Sequence, residues 1–89
     1  MIVCRHVRYT GRVQGVGFRY TAQRVADRHP VGGYVRNMPD GSVELVAEGA
    51  AEDVDAFLAV LADRMAGNIE RTDVREETPG GYQGFRIRH

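Results

Sequence analysis

The chain predicts an α+β sandwich: two helices packed on one face of an antiparallel sheet of four to five strands. Three observations predict it. Apolar residues alternate with period two in several segments, follow helical spacing in two others, and glycine or proline punctuates the joins. At 89 residues the chain has room for one core, so residues 1–89 are expected to form a single domain.

Residues 2–10 put Val3, Val7 and Tyr9 on one parity with Arg5 between them and are rich in β-branched types, which predicts the first strand. From Phe18 the spacing turns helical. Phe18, Ala22, Val25 and Ala26 fall on one face, with Arg24, Asp27 and Arg28 opposite. Pro30 stops that helix, because the prolyl ring clashes with the preceding turn and offers no N–H. Residues 31–37 and 42–48 read as the second and third strands, joined by Met38-Pro39-Asp40-Gly41, whose Pro39 and Gly41 supply the chemistry of a hairpin turn. In the third strand Val43, Leu45 and Ala47 share one face while Glu44 and Glu48 share the other, as expected of a sheet with one solvated side.

Val54, Phe57, Leu58, Leu61 and Met65 form the core-facing stripe of a second helix. Glu52, Asp53 and Asp55 suit the positive end of its dipole, and Gly67 suits its stop. Residues 69–77 and 85–88 are the remaining strand candidates, separated by Thr78-Pro79-Gly80-Gly81. The resulting order, β-α-β-β-α-β with a short extra terminal strand, is the split β-α-β or ferredoxin-like arrangement. That arrangement hosts many unrelated activities, so function must be sought in the loops.

Composition narrows the classes. The chain is 43% hydrophobic and 27% charged with both signs mixed, which fits a folded globular protein. Twelve basic residues balance twelve acidic ones, so the footprint of a general nucleic-acid binder is missing and an anion must be caught locally. All twelve basic residues are arginine, and the absence of lysine excludes Schiff-base chemistry and a lysine phosphate clamp. Cys4 is the only cysteine, which excludes an internal disulfide and a multi-thiolate metal centre and leaves it as a small buried apolar side chain. His6, His29 and His89 show no ligand spacing, so no metal and no cofactor is expected. His29 suits a helix C-terminus, and His89 is expected to fray. No stretch approaches the roughly 20 apolar residues of a membrane span, and no charged leader precedes an apolar run. The cytoplasm is the expected location, with no membrane partner.

Residues 11–19, Gly-Arg-Val-Gln-Gly-Val-Gly-Phe-Arg, lie where the first strand gives way to the first helix. Their glycines let several N–H groups converge on one point, and the helix start adds its own unpaired N–H groups and positive dipole end. Arg19, one or two residues into the helix, can reach the same point and hold two phosphate oxygens with its planar fork. Neither a terminal Gly-Lys-Ser/Thr nor a G-x-G-x-x-G is present, which disfavours a nucleotide-type loop and a dinucleotide site. Taken alone, the segment reads equally as a glycine-rich turn with an exposed arginine. Gly32-Gly33 reads as a bulge or a close approach to a neighbour, one use of which would be to admit the phosphate loop. Asn37 reads as a strand-end or turn asparagine.

The strings GRVQGVGFRY at 11–20, YVRN at 34–37, DGSVE at 40–44 and YQGFRIR at 82–88 resemble the acylphosphatase family in order and spacing, over essentially the whole chain. The resemblance implies hydrolysis of acyl phosphates to carboxylate and inorganic phosphate by direct in-line attack of water, without metal or covalent intermediate. It implies that the backbone N–H groups of Gln14, Gly15, Val16, Gly17, Phe18 and Arg19 cradle the phosphate, that Arg19 is the phosphate-binding arginine, and that Asn37 holds the attacking water. The first strand would then be central, with the hairpin end bearing Asn37 beside the loop after it. Tyr34 stands where the family often has tryptophan, and His29-Pro30-Val31 where it has a Leu-Gly-Leu type helix ending; both bear on packing only. The same motif heads large carbamoyl-phosphate-using hydrogenase maturation proteins, and with the chain ending at His89 a free-standing enzyme is expected.

The expected partners are a small-molecule acyl phosphate and inorganic phosphate as product or inhibitor, with no nucleic acid, and the expected state is a monomer. Two alternatives stay open. One is a non-catalytic module of the same fold binding a phosphate ligand or RNA, against which stands a neutral chain with only seven aromatics. The other is a carbamoyl-phosphate hydrolase acting for a partner protein.

Overall fold

The period-two segments form one five-stranded sheet in the computed structural model, which describes residues 1–89. The elements are β1 (Ile2–Gly11), α1 (Phe18–Ala26), β2 (Gly32–Asn37), β3 (Val43–Ala50), α2 (Ala51–Arg64), β4 (Ile69–Glu77) and β5 (Phe85–Arg88). Strand order is β4-β1-β3-β2-β5, so both helices and the β-α-β-β-α-β order stand as expected, with the short fifth strand at an edge. The first four strands pair antiparallel, whereas β5 runs parallel to β2. The connection explains this difference. β4 leaves the sheet at the end where Cys4 lies, residues 78–84 cross that end, and β5 must then run back along β2 toward the other end.

Glu48 holds the crossing in place. Its carboxylate, only 8% exposed, accepts hydrogen bonds from the N–H groups of Gly80, Gly81 and Tyr82 at 2.5, 3.0 and 3.1 Å. Three charge-assisted bonds offset the cost of burying that carboxylate. Glu48 therefore does not sit on a solvated face, as strand alternation suggested. Glu44 does not either: it accepts from His6 Nε2 and Arg36 Nε, both at 2.7 Å. Long basic side chains from the flanking strands fold over this side of the sheet, and the Arg88 guanidinium lies 3.8 Å from the Tyr34 ring centroid.

On the other face Val7, Tyr9, Val35 and Leu45 meet Phe18, Ala22, Val25, Val54, Phe57 and Leu61 in the main core. Leu58 packs at its margin. Cys4 is fully buried as expected, but parity puts it on the face away from the helices, opposite Glu48 and Glu77. Burial, then those carboxylates, push its thiol up to about 11. Asp55 makes an ion pair with Arg5 rather than serving only the helix dipole. Gly67 is not the stop of α2, whose last turns close through Met65 N–H to Leu61 O and Ala66 N–H to Asp63 O.

Gly32 and Gly33 do mark close backbone approaches, but not to residues 11–19. A Cβ on Gly33 would lie 1.8 Å from Val46 O, and one on Gly32 would lie 2.6 Å from Tyr82 O. Both sit at the far end of β2 from Asn37.

For Glu44, burial acts to raise the carboxyl pKa, but the hydrogen bonds and charges of His6 and Arg36 outweigh it and hold it below the ordinary 4.5. A depressed folded pKa contributes stability above the unfolded value that is lost as pH falls through the folded one. Thermal melting is therefore expected to drop as pH falls below about 4.5, and Glu44→Gln to flatten that slope; an unchanged slope would contradict the assignment.

Candidate active site

Tyr9, Val43 and Asn37 are neighbours across β1, β3 and β2, which puts the end of β1 and the end of β2 at one edge of the molecule, about 10 Å apart across two strand spacings. The loop joining β1 to α1 fills the ground between them. It is pinned at both ends by the core: Val13 is fully buried, and Phe18 is 2% exposed with its ring 4.9 Å from that of Tyr9. Arg12 N–H donates to Asn68 O at 2.9 Å, tying the start of the loop to the segment that enters β4. Between these anchors residues 15–17 are exposed.

Gly15 and Gly17 have φ of 75° and 78°, in the left-handed region that L side chains rarely adopt. Gly17 caps α1 with no side-chain hydrogen bond, and the first intrahelical acceptor is its own carbonyl, taken by Thr21 N–H at 2.9 Å. None of the backbone N–H groups of residues 14–19 donates to any protein acceptor. They are six consecutive donors at the positive end of a helix, which is the arrangement that attracts an anion.

Two side chains face the same place. Val13, Gly15, Gly17, Phe18, Arg19, Tyr20 and Asn37 line one small cavity of about 150 Å³, so Arg19 and Asn37, far apart in sequence, are brought together. Arg19 is half-buried and has no carboxylate partner; its one contact is Nη1 donating to His89 Nδ1 at 3.3 Å. His89 thus reaches the site instead of lying free at the terminus, because β5 runs toward this end. The Asn37 carboxamide is half-buried, and no hydrogen bond within the protein uses it. A planar guanidinium with open donors, a run of free N–H groups and a carboxamide able to donate and accept are groups that can hold a tetrahedral oxyanion and a water beside it.

Sequence reasoning treated Gln14 only as a backbone donor. Its side chain bonds across to the hairpin, with Nε2 donating to Met38 O at 2.7 Å and to Ser42 O at 2.9 Å. Nothing in the spacing of the loop signals that reach.

The acylphosphatase family model matches residues 5–87. The chain belongs to the acylphosphatase family. An acylphosphatase of Paenarthrobacter aurescens is 50% identical over 82 residues, which make up 90% of this chain and 87% of that one. An acylphosphatase of Thermococcus kodakarensis is 43% identical over 83 residues, 92% of this chain and 91% of that one. Among solved structures, the crystal structure of acylphosphatase from Bacillus subtilis superposes with a TM-score of 0.88 at 32% identity, covering all of both chains. The HypF protein of T. kodakarensis superposes at 0.85 with 34% identity, covering 98% of this chain but 12% of that longer one. The resemblance read from the four strings is thereby borne out, as is the ferredoxin-like fold read from the order of the elements.

In this acylphosphatase-family loop a Cβ on Gly15 or Gly17 would meet nothing within 4 Å, so the penalty for substitution is conformational alone. Gly17→Ala is expected to lower stability by about 1 kcal/mol, with Gly17→Asn recovering part of the loss, as measured by denaturant unfolding. Equal stability of all three would show that the left-handed geometry is not required.

Proposed function

We propose that this chain hydrolyses acyl phosphates to a carboxylate and inorganic phosphate, by in-line attack of a water on phosphorus. One observation carries the reading: residues 14–19 offer six unengaged N–H groups, and Gly15, Gly17, Phe18 and Arg19 of that run line one cavity with Asn37, the arginine having no carboxylate partner and the asparagine a free carboxamide. Each part answers a need of the reaction.

An acyl phosphate is a mixed anhydride whose leaving group is a carboxylate of pKa about 4, so no general acid is needed to expel it. Phosphoryl transfer through a loose transition state asks for alignment and for stabilisation of charge on the equatorial oxygens. In this proposal the N–H groups of Gln14, Gly15, Val16, Gly17, Phe18 and Arg19 take those oxygens, and the Arg19 guanidinium takes two of them at once. Asn37 holds the water through its amide, as donor to one lone pair or acceptor of one proton. A carboxamide is not a strong base, so the water's proton goes to a phosphate oxygen or leaves after the P–O bond has broken. Neither a metal nor a covalent intermediate has a place in this scheme.

The expected setting is the cytoplasm, with residues 1–89 forming one catalytic domain that works as a monomer on a small-molecule substrate, without nucleic acid or membrane. No helix is long and apolar enough to cross a membrane.

Steady-state hydrolysis of benzoyl or acetyl phosphate with a chelator present tests the reading, and absence of turnover would overturn it. Arg19→Ala and Arg19→Lys are expected to lower the rate on the order of 10³ with the fold intact by circular dichroism. An Arg19→Lys variant within tenfold of wild type would defeat the bidentate role. Asn37→Ala is expected to reduce kcat while leaving inhibition by inorganic phosphate nearly unchanged; an equal loss in both would assign Asn37 to phosphate binding instead.

A further inference from the structure

The cradle and the water-holding asparagine belong to different parts of the chain, and the main-chain ladder does not join them. Residues 14–19 follow β1, Asn37 ends β2, and β3 lies between those strands. The main-chain hydrogen bonds of the loop run elsewhere, from Arg12 N–H to Asn68 O and from Thr21 N–H to Gly17 O. The direct link is one side chain. Gln14 Nε2 spends one of its two protons on Met38 O at 2.7 Å and the other on Ser42 O at 2.9 Å.

Both partners are carbonyl oxygens, which can only accept, so the carboxamide orientation is fixed by chemistry: its NH₂ must face the hairpin. Those two carbonyls close the hairpin just past Asn37. Met38 N–H donates to Ser42 O at 2.8 Å, Gly41 N–H to Met38 O at 3.1 Å, and Ser42 N–H and Oγ to Asp40 Oδ1 at 3.0 and 2.6 Å. Ser42 is only 3% exposed. Gln14 therefore grips a stiff turn, and it does so from the first residue of the cradle.

We infer that Gln14 is a positioning residue: its side chain sets the distance between the phosphate cradle and Asn37, and so the alignment of water with the phosphorus. The inference rests on the proposed acyl-phosphate hydrolysis. Gln14 is not among the residues that line the cavity shared by Arg19 and Asn37. It acts on turnover by fixing two groups that bind separately, and misplacement of about 1 Å between reacting groups is enough to cost up to a hundredfold.

The test compares wild type with Gln14→Met, which keeps length and loses both donors, and with Gln14→Glu, which turns an oxygen toward the two carbonyls. Both retain the backbone N–H at position 14. With benzoyl phosphate as substrate, kcat is expected to fall roughly tenfold to a hundredfold in Gln14→Met and further in Gln14→Glu. The inhibition constant of inorganic phosphate is expected to stay within about threefold, because the cradle amides and Arg19 are untouched. A kcat within twofold of wild type in a folded Gln14→Met, or a parallel loss of kcat and phosphate binding, would overturn the inference.

A second measurement reads the coupling without turnover, so that failure of the hydrolase reading and failure of this one are separable. In wild type, saturating inorganic phosphate is expected to shift the Asn37 side-chain amide signals in NMR spectra. Gln14→Met is expected to bind phosphate, seen in the amides of residues 15–19, with the Asn37 signals unmoved. An Asn37 response equal in both proteins would refute the role.

Discussion

Six consecutive main-chain N–H groups without a protein acceptor are the constraint around which the rest of this molecule is arranged. Unpaired amides are tolerated only where water or a ligand can reach them, so the main chain of residues 14–19 must stay accessible even though Phe18 sends its ring into the core. Gly15 and Gly17 adopt the left-handed φ that the loop's turns need, and α1 begins where the loop ends, putting the positive end of its dipole there. With no acidic residue in the first turn of α1, nothing on the helix itself neutralises that end. Such an arrangement attracts anions.

The fold keeps an exposed loop rigid by anchoring it in three directions. Val13 and Phe18 plug into the core at either end, Arg12 is tied toward β4, and Gln14 is tied toward the hairpin. The same economy applies at the opposite end of the sheet. There the buried Glu48 carboxylate gathers three amides of the crossing loop, whereas the amides of residues 14–19 at the other end have no acceptor in the protein. That crossing turns β5 back toward the cradle, and its continuation brings His89 against Arg19. Arg19 thus meets an imidazole nitrogen rather than a carboxylate, and no acidic side chain pairs with its charge.

Much of this was legible in the sequence, because the elements are signalled by local spacing. Phe57 and Leu61 declare α2, and Pro39 with Gly41 declares the hairpin. The glycines of residues 11–19 fit an anion site and a plain turn equally, and the choice between them, like the pairing of Arg19 with Asn37, came from family resemblance and not from spacing. What escaped depends on long-range geometry. Alternation correctly separated Glu44 and Glu48 from the core but could not reveal that basic side chains and loop amides from elsewhere would cover them. The parallel direction of β5, and with it the place of His89, follows from where residues 78–84 cross, which no periodicity encodes. Gln14 looked like one donor among six because its second role is written in the carbonyls of Met38 and Ser42, more than twenty residues away.

A crystal structure with inorganic phosphate bound is the most direct test of the anion cradle. Phosphate oxygens should lie within about 2.7–3.1 Å of several N–H groups of residues 14–19 and of two Arg19 nitrogens, with a water bridging phosphate and the Asn37 carboxamide. Phosphate held instead by the exposed arginines Arg24, Arg28 and Arg64, with the loop amides facing only solvent, would contradict it.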